Sequence, residues 1–482
     1  MCNLSLETGV FPAVFKDALV TPIHKAGSRD TVSNYRPISL LSTISKILEK
    51  VVNGRLTSYL EKNNLLASNQ FGFRSGKSTE DAVATLSKLI TEKLDRGQKC
   101  LGIFLDLQKA FDTVSIPLLL KKLENIGVRG TPLDWFTDYL MNRQQVTKVL
   151  DNSSNKAKVK YGIPQGSTLG PTLFLIYANS LCKLELENGQ SLAFADDTAL
   201  IFYGSTWASV KETAEKGLMA ATRWLEDNLL TINVPKTKYI CFKITNANKP
   251  TSNFNITVHT YPCNRQINSS DNCSCKKLEQ TSNIKYLGVI IDEKLNWQPQ
   301  IKALSNRTRR LIPIFKNLRD VADKKLLLSV YTALCQSLLC YCIPVWGGAA
   351  ATHLIELERA QRMVIKIMFR KRRRFPTELL YKETKILTVR QLYIQNTILR
   401  FHKHNPPKPS EPTRRRRRVP ITRVKTTFAS HQYTFRGPIL YKKLNNIKDV
   451  PKLSKYCLKK ILKCKLNELN YDSTEKFLNS LS

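Results

Sequence analysis

Three aspartates carry the chemistry open to this chain. Asp196 and Asp197 are adjacent in SLAFADDTALIFY (191–203), between two apolar segments suited to burial. Carboxylates among such neighbours cost desolvation unless a cation is close. Asp106 lies near the end of a second apolar run, CLGIFLDL (100–107). Brought to one place and left unpaired, three carboxylates repel, and their pKa values rise. A hard divalent cation resolves the conflict, since Mg2+ takes carboxylate oxygens, water and substrate phosphates. Two such ions roughly 3.5–4 Å apart activate an attacking hydroxyl and stabilise a leaving oxygen, so the implied chemistry is phosphoryl transfer. Asp also shapes turns well; two adjacent aspartates alone would read that way, and Asp106 tips the balance to a metal site.

The surrounding elements must bring these residues together. CLGIFLDL reads as a short buried strand, SLAFADDTALIFY as two strands turning at the aspartates, and KYICFKI (238–244) as a further strand. Helical spacing runs through 39–64, 116–126, 207–229 and 353–369, and residues 1–100 read as mainly helical after a short entry. The order strand, helix, hairpin, helix, strand predicts an α+β fold around a split βαβ sheet, with the Asp106 strand beside the hairpin.

With 482 residues, two or three subdomains are expected. The net charge of +38 is unevenly placed: from residue 301 onward there are 40 Lys and Arg against 11 Asp and Glu. Such an excess calls for a polyanionic partner. RKRRR (370–374) and RRRRR (414–418) flank a Pro-rich linker, HNPPKPSEPT (404–413). Each run suits phosphates or nuclear import. The twelve cysteines are irregularly spaced, and MCNLSLETGVFPAVFKD has no basic region ahead of an apolar core. A reducing intracellular setting follows, in nucleus or cytoplasm. His259, Cys263, Cys273 and Cys275 could ligate zinc, but they contain no CxxC pair and span a long loop. The uncharged run 326–352 is interrupted by Gln336, Pro344 and Gly347-Gly348, so it reads as a buried helix ending at Pro344, without stable membrane association.

YRPISL (35–40), QFGFRSGKST (70–79), FLDLQKAFDTV (104–114), GIPQGSTLGPTLFLIYAN (162–179), FADDTALI (194–201), NVPKTK (233–238) and IKYLGVIID (284–292) occur in that order. Together they resemble the reverse transcriptases of non-LTR (LINE-like, jockey-type) retrotransposons over roughly residues 1–370. The resemblance implies a right-hand polymerase with fingers at 1–100, palm at 101–295 and helical thumb at 296–370. Residues 371–482 would form a basic, partly flexible nucleic-acid-binding region.

By resemblance, Asp106 and Asp196 would bind two Mg2+ ions, with Mn2+ as a substitute and Asp197 in support. Lys25 and Arg36 would reach the triphosphate of a dNTP, a task that suits the Arg fork. Gln165 and Gly166 would line the nucleotide pocket, and Lys236 would stand near the leaving pyrophosphate. Phe111 would be the steric gate against a ribose 2′-hydroxyl, although a ring there also packs as core. Tyr286, Leu287 and Gly288 resemble the primer grip. The implied partners are an RNA template, a DNA primer or target DNA, and dNTPs. Relatives of this type carry an endonuclease ahead of the polymerase; this chain reads as a fragment lacking it.

Overall fold

The computed structural model describes residues 1–245, 248–259, 275–404, 423–444, 450 and 453–480. Two compact units divide the chain. The first is Met1–Ser78, Leu101–Tyr239 and Ser252–Gln280; the second is Thr79–Cys100, Ile240–Thr251 and Thr281–Ser482.

A five-stranded sheet organises the region of the three aspartates. The strand Lys99–Leu105 is buried at every position from Cys100 onward, as a strand covered on both faces must be. Its neighbours are Lys238–Phe242 on one edge and Asp197–Gly204 on the other; Glu279–Gln280 and Gly189–Phe194 form the outer strands. The predicted placement of the Asp106 strand beside the hairpin is therefore the observed one. Gly189–Phe194 and Asp197–Gly204 pair antiparallel, and the pair Phe194 and Asp197 closes the turn. The helix Trp207–Asp227 packs on the second of these strands. It buries Val210, Ala214, Leu218, Ala221 and Leu225, a stripe at helical spacing. Its first turn is capped by Thr206, whose side chain accepts the Ser209 N–H.

Residues 1–100 hold more helix than strand, in Cys2–Thr8, Thr43–Lys62 and Thr79–Asp95, but the entry is not short. Asp17–His24 and Tyr35–Leu40 form an antiparallel hairpin, and Gln144–Val149 runs parallel to the first of them. Proline hid these strands from the periodicity: Pro22 stands directly opposite Pro37. Pro22 also lies past the stretch, Asp17 to Val20, that pairs with the third strand, so its missing N–H interrupts no ladder on that side. The predicted helix at 39–64 is present as Thr43–Lys62.

The second unit is mostly helical. It begins its C-terminal run with a hairpin, Asn283–Tyr286 and Val289–Asp292. The run 326–352 does not form one helix ending at Pro344. Lys324–Tyr331 passes through a π-helical stretch, Thr332–Gln336, into Ser337–Cys340, where the helix stops. Cys342 then takes φ 52°, and Pro344 sits in the first turn of the next helix, Ile343–Trp346, where a missing N–H is harmless. Among the described residues, no helix is long and apolar enough to cross a membrane.

Beyond residue 370 the described segments are packed helices. Val389–His404 is buried at most positions, and Arg400 pairs at 2.9 Å with both Glu80 and Asp81. Lys455–Asn467 buries Leu458, Leu462 and Leu466 while its lysines face solvent. The run 414–418 lies outside the described residues.

Candidate active site

The hairpin presents its two acids through a two-residue turn. Ala195 takes φ 58°, and Asp196 does not enter the left-handed region. This is the II′ pattern, whose twist matches the flanking strands. Asp196 is half-buried, and Asp197, the first residue of the outgoing strand, is exposed.

Asp106 follows its strand directly and is framed by the loop before Lys238. Asn233 Nδ2 donates to Asp106 Oδ2 at 2.8 Å, and the Asn233 amide N–H donates to the Asp106 carbonyl at 2.7 Å. The Asp106 amide N–H in turn donates to the buried Thr237 hydroxyl at 3.1 Å. Neither Asn233 nor Thr237 was singled out from the sequence. Their signal was present in NVPKTK, since Asn233 and Thr237 are one helical turn apart and the Thr237 N–H closes on the Asn233 carbonyl.

The three acids share one electrostatic field. Burial raises the Asp196 carboxyl above its ordinary range; Arg36 pulls it down, Asp106 pushes it up, and Lys25 also lowers it. Asp197 is pushed up to about 6, by burial first and then by Asp196 and Asp106, against Lys25 and Arg36. Lys25 and Arg36 are exposed on the hairpin Asp17–His24 and Tyr35–Leu40, Arg36 opposite Ile23 and the Lys25 N–H bonded to the Asn34 carbonyl. Fold therefore brings together two cations and three acids that lie far apart in sequence.

The segment around Gly166 joins this group. Gln165 Nε2 donates to Asp112 Oδ1 at 2.7 Å, and the Gln165 carbonyl accepts the Ser39 N–H at 2.7 Å. Gly166 takes φ 119°, and a Cβ there would meet the Ser39 carbonyl at 2.6 Å. Only glycine fits. Phe111 is half-buried and stacked on Phe174, with centroids 4.4 Å apart and planes 23° apart. Burial raises the neighbouring Asp112 carboxyl, which the Gln165 bond partly offsets.

Other predicted residues stand elsewhere. Lys236 is exposed on the loop that frames Asp106, its N–H bonded to the Asn233 carbonyl. Tyr286, Leu287 and Gly288 belong to the second unit. There Leu287 and Gly288 form a turn with φ 46° and 81°, and Tyr341 Oη donates to the Leu287 carbonyl at 2.6 Å. Of the zinc candidates, Cys263 and Cys273 lie outside the described residues.

The donor set at the hairpin fits a hard divalent cation: ionised, its carboxylates are acceptor-only, and those of Asp196 and Asp197 are held above their ordinary pKa by burial and by neighbouring carboxylates. Their side chains do not already form a closed cluster. Among the described residues, no three His, Cys, Asp or Glu side chains are gathered tightly enough to grip a metal as they stand.

Comparison with known proteins gives the family. Residues 23–291 match the family described as reverse transcriptase (RNA-dependent DNA polymerase). The chain is 27% identical over 380 residues to the probable RNA-directed DNA polymerase from transposon BS of Drosophila melanogaster, covering 76% of this chain and 39% of that protein. It is 27% identical over 374 residues to the RNA-directed DNA polymerase from mobile element jockey of the same organism, with 76% and 39% covered. The chain thus spans 39% of the length of these curated relatives. A solved telomerase from Candida albicans, in complex with a fragment of telomeric RNA, aligns at TM-score 0.39 and 12% identity over 80% of this chain and 64% of that one. With residues 23–291, more than half its length, matched by that family, and with relatives that include polymerases of the BS, jockey and X-element transposons, the chain belongs to the reverse transcriptase (RNA-dependent DNA polymerase) family.

Proposed function

We propose that this chain is the RNA-directed DNA polymerase part of a non-LTR retrotransposon protein. It extends a primer 3′-hydroxyl on an RNA template with dNTPs and releases pyrophosphate. One observation carries the reading: Asp106 follows the strand that lies beside the hairpin bearing Asp196 and Asp197, and the charges of Lys25 and Arg36 bear on the same two carboxylates. Cations facing acids across an open site are what a triphosphate and its counter-ions require.

Asp106, Asp196 and Asp197 would hold two Mg2+ ions, with Mn2+ as substitute, which supply charge neutralisation at the attacking and leaving oxygens. Lys25 and Arg36 take the triphosphate oxygens, Arg36 in a forked geometry. Gly166 lets the nucleotide approach the backbone, and Gln165, fixed by Asp112, lines the pocket. Phe111, braced by Phe174, excludes a 2′-hydroxyl. Lys236 assists the leaving pyrophosphate, and Tyr286, Leu287 and Gly288 hold the primer end.

In this reading residues 1–100 are fingers, 101–295 palm and 296–370 thumb. The basic remainder contacts the phosphates of template RNA and of primer or target DNA. The test is dTTP incorporation on poly(rA)/oligo(dT) by the purified chain, with Asp196→Ala as control. Incorporation by the parent and none by the variant is expected. A parent without incorporation, or a variant equal to it, overturns the reading.

A further inference from the structure

The turn that carries Asp196 is held from behind by a residue the catalytic scheme does not use. Gln70 is 1% exposed, on the segment 69–72 that runs along Gly189–Phe194. Its Oε1 accepts two backbone N–H groups at once, from Gly72 at 2.8 Å and from Ala195 at 3.0 Å. Two donors converging on one atom fix the amide orientation, because only its oxygen can accept both. Its Nε2 faces Cys182 Sγ at 3.8 Å.

The contact is specific to the turn. Ala195 is the residue at φ 58°, a conformation that the II′ turn ordinarily gives to glycine. An alanine there needs something outside the turn to hold it. Gln70 supplies that hold through the Ala195 N–H, and Gly72 lets the two segments close, since a Cβ on it would stand 2.4 Å from the Ala195 nitrogen. The register is pinned on either side: Phe71 N–H donates to the Ala193 carbonyl at 2.8 Å and Ala193 N–H to the Asn69 carbonyl at 3.0 Å.

We propose that Gln70 is the positioning residue of the aspartate turn, holding the left-handed backbone of Ala195 and so aiming the Asp196 carboxylate. The proposal rests on the polymerase reading for its catalytic consequence, though not for its structural one. Gln70→Met keeps the volume of the side chain and removes the acceptor. Hydrogen–deuterium exchange on the parent and on this variant needs no turnover. Faster exchange confined to peptides covering 70–73 and 193–198 is expected, and unchanged exchange there overturns the proposal whether or not the chain polymerises.

In primer extension the variant should lose kcat about 10²-fold, the scale of a small misplacement at a reacting centre, with KM for dTTP nearly unchanged. Ala195→Gly placed in the Gln70→Met background should restore about tenfold or more of the loss, because glycine adopts the turn unaided. A loss in KM alone, or no recovery by glycine, rejects the aiming role. Should Gln70→Met not fold, Gln70→Glu keeps an acceptor oxygen in place. Its peptides over 193–198 must then stay protected, and their loss of protection overturns the proposal. A parent that fails to extend primers overturns the polymerase reading and leaves exchange to decide the turn.

Discussion

Asn233 holds Asp106 twice, its side-chain N–H on the carboxylate oxygen at 2.8 Å and its backbone N–H on the carbonyl at 2.7 Å. One residue thereby sets both the backbone and the carboxylate of a proposed metal ligand. Neighbours of this kind orient ligands and tune their affinity.

Asn233→Ala should keep the backbone bond and release the carboxylate. We expect kcat in primer extension to fall about 10–100-fold, the usual cost of losing a ligand's orienting partner. Stability should change by only about 1 kcal/mol, the net worth of one such hydrogen bond. Thermal unfolding run beside the kinetics separates the two. A variant that loses stability in step with activity would make Asn233 a folding residue.

Phe111 should decide the sugar. Its ring is braced against Phe174 at 4.4 Å, which leaves little freedom to swing aside. Phe111→Ala should raise rNTP incorporation relative to dNTP by about tenfold or more, the range a steric pocket commands. Competition between dTTP and UTP on one template reads this directly. A general loss of activity with selectivity intact would mean the ring is only core.

The loop that carries Gln70 is tied down by a charge pair with a predictable pH signature. Arg74 meets Glu61 through two N–H···O bonds of 2.8 and 2.6 Å. That bonding holds the Glu61 carboxyl below its ordinary 4.5. A carboxyl lowered in the folded state adds stability above its unfolded pKa and loses it as pH falls through the folded value. Arg74→Met should therefore cost stability at pH 7 and progressively less below about pH 4.5. The Glu61 side chain is 36% exposed, so this charge component should stay under about 1 kcal/mol. Urea titrations of parent and variant at pH 7 and pH 3 test it. A gap that fails to narrow on acidification would show that the pair adds nothing.

Arg400 anchors the C-terminal helices of the second unit. Its side chain is 7% exposed and that of Asp81 8%, and the two meet at 2.9 Å. Removing one partner of an isolated buried pair costs about 3 kcal/mol or more; here Lys403 and His404 also meet Asp81, at 3.3 and 3.1 Å, so the loss should be smaller, about 1–3 kcal/mol. Arg400→Met should therefore lower the denaturant midpoint markedly, and Arg400→Met with Asp81→Leu should recover part of the loss. Truncation before residue 371 would remove Arg400 altogether and expose the face it covers. A truncated chain with undiminished stability would contradict this account.

Much of the site was legible in the linear chain. The strand Lys99–Leu105 and the hairpin around Asp196 were readable because burial on both faces leaves an unbroken apolar run, which only the aspartates interrupt. Family motifs then supplied Lys25, Arg36 and the segment at Gln165, whose local sequence carries no signal of its own. Where local pattern misled, a backbone constraint was the cause. Facing prolines masked the strands of the entry hairpin, and Cys342 turned the chain before Pro344 could end a helix.

The types and order of the proposed catalytic residues are thus properties of the sequence, since carboxylates set among apolar strands cost desolvation unless a cation is close. Tertiary structure alone decided how those residues are held. Gln70 and Asn233 act across 125 and 127 positions of chain, through hydrogen bonds to the two aspartate-bearing segments. Arg400 reaches Glu80 across 320. Periodicity records which face of an element is buried. It carries no trace of which distant amide a buried side chain will meet, and that meeting sets the aim of Asp106 and Asp196.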